Sequence, residues 1–301
     1  MSSEGQQLVP GDAVVSETDT QVLTGLGEAV VSETDTQTLT GEGQPVNDDF
    51  YSYPLAPDMH AEEYNMAHSR RGVALIFNHA NFRDLAPRNG TRKDCTSLVE
   101  ALENLDFEVW EHHDFTYKEL KKKLDEVARA DHTDADCLLI AVLSHGKEDE
   151  LNSADEAYSV QQLWKPFLED KCPTLAGKPK IFIIQACRGV LGDSGVKVRT
   201  ETDCSQGSYT IPVHSDIIVA YSTAKGHYSW RNPSEGSWFI QALVEEFEEN
   251  GRKRDLQTLL TFVNRRVAME KTSRVANNEL KNQKKQAPVF TSSLTKLVFF
   301  R

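Results

Sequence analysis

The sequence predicts an α/β domain, one mostly parallel sheet of about six strands flanked by helices, behind a disordered N-terminal tail. Three features lead there. From about Arg70, short apolar runs alternate with stretches of helical period, the pattern that winds strand-helix units into a parallel sheet. The longest strongly apolar run, Cys137 to Leu143, has seven residues, against the roughly 20 needed to cross a bilayer. The first sixty or so residues are poor in aromatics and rich in Ser, Thr, Gly and acids, so they bury too little apolar surface to offset the entropy of ordering.

In chain order, strands are expected at Gly72 to Asn78, Phe107 to His112, Cys137 to Leu143, Lys180 to Gln185, Asp216 to Ser222 and Leu294 to Phe300. Tyr117, Leu120, Leu124 and Val127 recur at helical spacing, and so do Leu256, Leu259, Leu260, Val263 and Val267. The stretch 188–210 has neither period and is rich in Gly, Ser, Thr and charge, which marks an exposed linker inside the domain.

The net charge of -13 is localised. Residues 1–69 hold thirteen of the 46 acids and no Lys or Arg, so the remainder carries 33 charges of each sign. A formally neutral body gives no electrostatic reason to bind nucleic acid or an anionic membrane. The N-terminus has neither the basic nor the apolar stretch of a secretory signal, which predicts a cytoplasmic protein. Five singly scattered cysteines fit neither a zinc site nor a disulfide framework, and no cofactor motif is present, so neither metal nor cofactor is expected.

Ligands of open α/β sheets bind beyond the carboxyl ends of the strands. The third strand runs out into Ser144-His145-Gly146 and the fourth into Gln185-Ala186-Cys187-Arg188-Gly189. If those strands are neighbours, an imidazole and a thiol meet at one edge. The pair suits nucleophilic catalysis, with the thiolate attacking a carbonyl and the imidazole protonating the leaving amine. Backbone N–H groups of Gly146 and Cys187 are candidates for the oxyanion. A cysteine after an apolar run is more often a packing residue, and a histidine at a strand end is more often a plain hydrogen bonder. An unrelated thiol phosphatase is disfavoured because its Cys-x5-Arg cradle would need arginine at position 193, which is Asp.

The run Gln185 to Gly189, with His145 lying 42 residues before Cys187, resembles the caspase signature. Gly177-Lys178-Pro179-Lys180, Tyr228-Ser229-Trp230-Arg231-Asn232 and Gly236-Ser237-Trp238-Phe239 are similar to caspase segments in the same order. The resemblance covers most of Arg70 to Phe300. It implies a caspase-like three-layer sandwich, a cysteine protease of apoptosis that cuts after aspartate, and a dimer with the last strand at its centre. It also implies a pocket for the aspartate made by Arg88, Gln185 and Arg231, the planar donors that suit a carboxylate. Tyr228, Ser229, Trp230 and Trp238 are implied to line the groove for upstream residues, and Asn232 to meet an acidic side chain four residues from the cut.

Such a protease carries its own substrate sequences at accessible places. A fifteen-residue unit, Gly11 to Gly25, recurs at Gly27 to Gly41, and both copies contain Ser-Glu-Thr-Asp, ending at Asp19 and Asp35. Thr200-Glu201-Thr202-Asp203 repeats that ending in the internal linker, where the resemblance puts the junction between large and small subunits. The organisation expected is a prodomain over 1–60, a large subunit over 61–203 and a small one over 204–301. The short polar tail is similar to the executioner kind, activated by another protease, which implies an upstream initiator caspase and inhibitor-of-apoptosis proteins as partners. The chain departs from the family at Lys225, where relatives commonly have proline, and over Lys271 to Gln283, which lacks the aromatics of a distal-pocket loop. No Asp or Asn partner for His145 is evident.

Overall fold

The computed structural model describes residues 60–168, 171–189, 191, 215–273 and 282–301. The tail sites Asp19 and Asp35, the linker site Asp203 and most of the 271–283 loop lie outside the described residues.

Six strands make the main sheet: β1 (Val73–Asn78), β2 (Glu108–His113), β3 (Leu138–Leu143), β7 (Lys180–Gln185), β8 (Ile217–Tyr221) and β11 (Val289–Ser292). The spatial order is β11-β8-β7-β3-β1-β2, with every pairing parallel except β11 against β8. A small antiparallel sheet, β4 (Gly146–Lys147), β5 (Glu150–Asn152) and β6 (Ala157–Ser159), leaves the end of β3. A hairpin, β9 (Arg231–Asn232) and β10 (Gly236–Ser237), precedes the third of the four α-helices among the described residues. These are α1 (Thr91–Glu103), α2 (Tyr117–Ala128), α3 (Trp238–Asn250) and α4 (Leu256–Arg265).

Period-two alternation divides the core into two layers. Leu139, Ala141 and Leu143 of β3 face one cluster with Leu98 and Leu102 of α1, Ile240 and Phe247 of α3, and Leu259 and Val263 of α4. Leu138, Ile140 and Val142 face the other, with Leu120, Leu124 and Val127 of α2 and Phe167 and Leu175 from short 3-10 turns. Both faces of the sheet are covered, which is why its central strands read as unbroken apolar runs. Each fully buried Leu, Ile or Phe contributes about 1.5–3 kcal/mol by leaving water. The two helical faces expected from spacing are present, Val267 lying on a π turn that prolongs α4. α2 starts at a capping box, Thr116 with Glu119, and α4 at the Asp255 side chain. The helices α1 and α3 stand where the sequence reading named none.

One strand is corrected. The sixth strand is Val289–Ser292, not Leu294 to Phe300. The chain leaves the sheet at Ser293. Tyr64 Oη and Thr295 Oγ1 both donate to Asp216 Oδ1, at 2.6 and 2.8 Å, and Leu297 makes an isolated bridge with Glu63. The apolar alternation of Leu294 to Phe300 serves the core instead. Phe300 is fully buried, edge-on to Phe107 and Phe247 at 5.6 and 6.2 Å. Among the described residues no helix is long and apolar enough to cross a membrane.

Phe300→Ala leaves a cavity between α3 and the sheet and is expected to destabilise the chain by about 3–5 kcal/mol, read from urea unfolding. A loss below about 1 kcal/mol would contradict this packing.

Candidate active site

The cleft lies beyond the carboxyl ends of β3 and β7. Leu143 pairs with Gln185, so His145 and Cys187, each two residues further on, leave adjacent strands at one level. Both line the same cleft, with Gln185, Ser229, Trp230 and Arg231. Gly146 is pressed against the Cys187 turn: a Cβ there would lie 2.9 Å from the Cys187 carbonyl oxygen and 3.0 Å from the Ala186 Cβ. Only glycine permits that approach.

His145 is half-buried, its ring 4.8 Å from that of Phe82, and its Nε2 lies 2.8 Å from the Ala86 carbonyl oxygen. A carbonyl only accepts, so Nε2 carries the proton and Nδ1 is the free base. Burial lowers the pKa of His145, the Ala86 carbonyl opposes that, and the charges of Arg88 and Arg231 add to it. Sequence reasoning left the orienting partner of His145 blank. It is a backbone carbonyl, for which no residue type signals.

Cys187 is half-buried, the other described cysteines fully so. Its sulfur receives the Ser229 N–H at 3.5 Å and lies 3.7 Å from the Ser229 carbonyl oxygen. His145 and Cys187 line one cleft without a hydrogen bond between them.

Arg88 is 2% exposed. Its Nη1 donates to the His79 carbonyl at 2.9 Å and to Thr91 Oγ1 at 2.7 Å. Its Nε and Nη2 are buried without a partner among the described residues. Burial, then the Arg231 charge, draws its pKa down to about 9, against the pull of Asp94. Arg231 is half-buried, donates from Nε to the Asn89 carbonyl at 2.9 Å, and is itself lowered by burial. Gln185 Nε2 donates to Ser229 Oγ at 2.9 Å, leaving its buried Oε1 unpartnered. Since a hydroxyl can donate or accept, the amide can turn and present Nε2 instead.

Two anchors hold Arg88 and Arg231 together, and sequence reading missed both. Buried Asp94, in the first turn of α1, accepts from Ser237 N–H at 2.7 Å and Ser237 Oγ at 2.6 Å, pinning β10. Gly90, at φ 85, lets the loop pack on Pro233, whose carbonyl oxygen would lie 2.5 Å from an added Cβ.

Trp230 and Trp238 stack at 5.9 Å, with Tyr228 tilted 6.4 Å from Trp230. The Trp230 N–H is taken by buried Gln286 Oε1 at 2.6 Å. Asn232 is turned inward: Oδ1 accepts from the Ser234 N–H at 2.9 Å and Nδ2 donates to Glu235 at 3.1 Å. It braces its own turn. Lys225 ties its turn to Asp149 at 2.8 Å, an exposed pair that water and salt screen.

Residues 71–299 match the family model for the Caspase domain. The chain belongs to the caspase family. It is 46% identical over 252 residues to Caspase drICE of Drosophila melanogaster, covering 82% of this chain and 74% of that one. To Caspase-1 of Spodoptera frugiperda it is 47% identical over 247 residues, 81% and 83% of the two chains. The crystal structure of Caspase-1 from Spodoptera frugiperda matches at a TM-score of 0.75 and 46% identity, over 81% of this chain and 96% of that one. This caspase is therefore a cysteine-type endopeptidase, a hydrolase, with protein substrates and the dimeric organisation of its family.

His79 gives the caspase a pH dependence. It is 0% exposed, neither ring nitrogen has a partner among the described residues, and burial holds its pKa at about 4 against an ordinary 6.5. The unfolded chain therefore binds more protons between those values. Stability is full above 6.5 and falls as pH drops towards 4, by up to about 3 kcal/mol from this residue. His79→Leu is expected to flatten the stability slope between pH 7 and 5 in urea unfolding; an unchanged slope counts against it.

Proposed function

We propose that the chain is the precursor of an executioner-type caspase that hydrolyses peptide bonds after aspartate and matures by cleavage after Asp203. The observation that carries this is the buried, unpartnered Nε and Nη2 of Arg88, close enough to Arg231 and Cys187 for their charges to act on it, while Arg231, Gln185 and Cys187 line the cleft. A carboxylate on the residue before the cut supplies the acceptor that the Arg88 guanidinium lacks and a counter-charge for both arginines. A neutral side chain leaves two cations facing one another, so the substrate preference follows.

The chemistry then runs as follows. His145 Nδ1 takes the Cys187 proton, and Sγ attacks the carbonyl carbon after the aspartate. The N–H groups of Gly146 and Cys187 receive the oxyanion. The imidazolium, oriented by the Ala86 carbonyl, gives its proton to the leaving amine, and the returned neutral ring activates water to hydrolyse the thioester. Tyr228, Trp230 and Trp238 form the apolar wall for upstream residues, and Ser229 to Arg231 is the backbone edge along which they extend. The acidic-contact role for Asn232 requires that it exchange its Ser234 and Glu235 partners.

The segments are a prodomain over 1–60 with cleavage sites at Asp19 and Asp35, a large subunit over 61–203 and a small one over 204–301. The reading extends to a cytoplasmic enzyme, activated by an initiator caspase, restrained by inhibitor-of-apoptosis proteins and pairing through the β11 edge.

Arg88→Gln is expected to lower kcat/KM on an aspartyl reporter by about 100-fold or more without lowering the thermal midpoint, since it removes an incompletely satisfied buried charge. Loss of activity only in step with loss of stability refutes the pocket. Asp203→Ala, incubated with an active protease that cuts after aspartate, is expected to stay unprocessed at the linker and inactive; maturation like the parent's refutes that junction.

A further inference from the structure

Away from the cleft, α1 and the edge strand β2 gather three metal-ligating side chains. Cys95 lies four residues after Thr91, on the same face of α1. Glu111 and His113, two apart on β2, share one face of the sheet. The Cys95 thiol donates to Glu111 Oε2 at 3.3 Å, and His113 Nε2 stands 3.4 Å from that oxygen. The three ligand atoms lie within 4.8 Å of one another, in the one such trio among the described residues. Tetrahedral zinc, with bonds of roughly 2.0–2.3 Å, spaces neighbouring ligand atoms about 3.3–3.7 Å apart. Two of the three edges already have that length. Thiolate, imidazole and carboxylate together suit zinc over calcium or magnesium. Cys95 is 1% exposed while Glu111 and His113 are exposed, so an ion enters from solvent and a water can complete the set.

The trio also stands at one end of a hydrogen-bonded row. His113 is paired with Asn78 in the β1–β2 register, and its Nδ1 lies 3.4 Å from Asn78 Nδ2. Asn78 Oδ1 accepts from Thr91 Oγ1 at 2.6 Å, and Thr91 Oγ1 accepts from Arg88 Nη1 at 2.7 Å. We propose that Cys95, Glu111 and His113 bind a divalent cation of zinc's class and that its occupancy is relayed to Arg88 through Asn78 and Thr91.

The proton balance supports the relay. Binding through Sγ releases the thiol proton to solvent. Binding through Nε2 moves the imidazole proton to Nδ1, where it faces the Asn78 amide nitrogen, donor against donor. The amide turns, Oδ1 accepting from His113 and Nδ2 donating to Thr91. The Thr91 hydroxyl loses its acceptor, and the bond that fixes Arg88 loosens. The ion is thus a negative regulator of aspartate binding. The relay rests on the Arg88 pocket proposed above; the metal site does not.

Cobalt alone tests the site. In the full-length Cys187→Ala protein, titration with Co2+ is expected to produce a thiolate-to-cobalt charge-transfer band that saturates at one ion per chain. The band should vanish in the double variant with Cys95→Ala. His113 is exposed, so His113→Gln in the same background keeps the core, and it should weaken binding at least about 10-fold. No band in Cys187→Ala, or an unchanged titration in His113→Gln, overturns the site. For the relay, Zn2+ is expected to raise KM for an aspartyl reporter severalfold in the processed parent and not in processed His113→Gln, whereas zinc caught at Cys187 and His145 lowers kcat in both. A parent KM indifferent to zinc overturns the relay. A processed parent without aspartyl activity overturns the pocket reading, and the cobalt titration still decides the site.

Discussion

A guanidinium taken out of water costs several kcal/mol unless its surroundings return the hydrogen bonds and the counter-charge that water supplied. At Arg88 the fold returns only part of both. Nη1 is satisfied by His79 and Thr91, while Nε and Nη2 are not. Asp94 supplies negative charge, but its oxygens are already engaged by Ser237, and Arg231 adds a second cation. The lowered pKa of Arg88 expresses that remaining imbalance. On the proposed reading, a site left in this condition favours a ligand that brings its own carboxylate.

Such a charge stays buried only where packing prevents the side chain from swinging out. Two elements far apart in sequence share that task. The loop into α1 carries Arg88, and the hairpin β9–β10 carries Arg231. They are joined by Asp94 to Ser237, by Arg231 to Asn89, and by Gly90 against Pro233. The other half of the cleft is set by the sheet, since the parallel register of β3 and β7 decides where His145 and Cys187 emerge. Thiol and imidazole are held by different neighbours, Ser229 and Ala86.

How much of this was legible depended on which groups carry the information. The central strands were readable because burial on both faces forces continuous apolar runs, and the emergence of His145 and Cys187 at one edge followed from strand ends alone. Leu294 to Phe300 misled because a strand and an irregular segment feeding the core share the same alternation, and only Tyr64, 233 residues before Leu297, decides between them. Ala86 acts through its carbonyl, which no side chain announces. Asp94 carried no signal in the sequence, since its partner Ser237 is 143 residues away. The partners of Asn232, Ser234 and Glu235 in its own short turn, were not evident from its position in the motif. The Cys95 trio lacked a motif because its members sit on a helix and a neighbouring strand.

The order of these residues along the chain bears on how cleavage after Asp203 could act without dismantling the site. Arg88, His145, Gln185 and Cys187 precede that bond, whereas Arg231, Trp230 and Trp238 follow it. The two parts are nevertheless joined by the β7–β8 ladder, by Asp94 with Ser237, and by α1 packed on α3. Interactions of that extent lie between described residues and persist when the peptide bond after Asp203 is broken, because the loss is one of tether and not of their burial. Beyond Cys187, Arg188 and Leu191 bond to Gly226, His227 and Tyr228. Those bonds join the strand end that carries the thiol to the segment whose Ser229 meets it. On the proposed reading, the surroundings of the thiol are therefore tied to the chain that leads into the linker more directly than the buried arginine is.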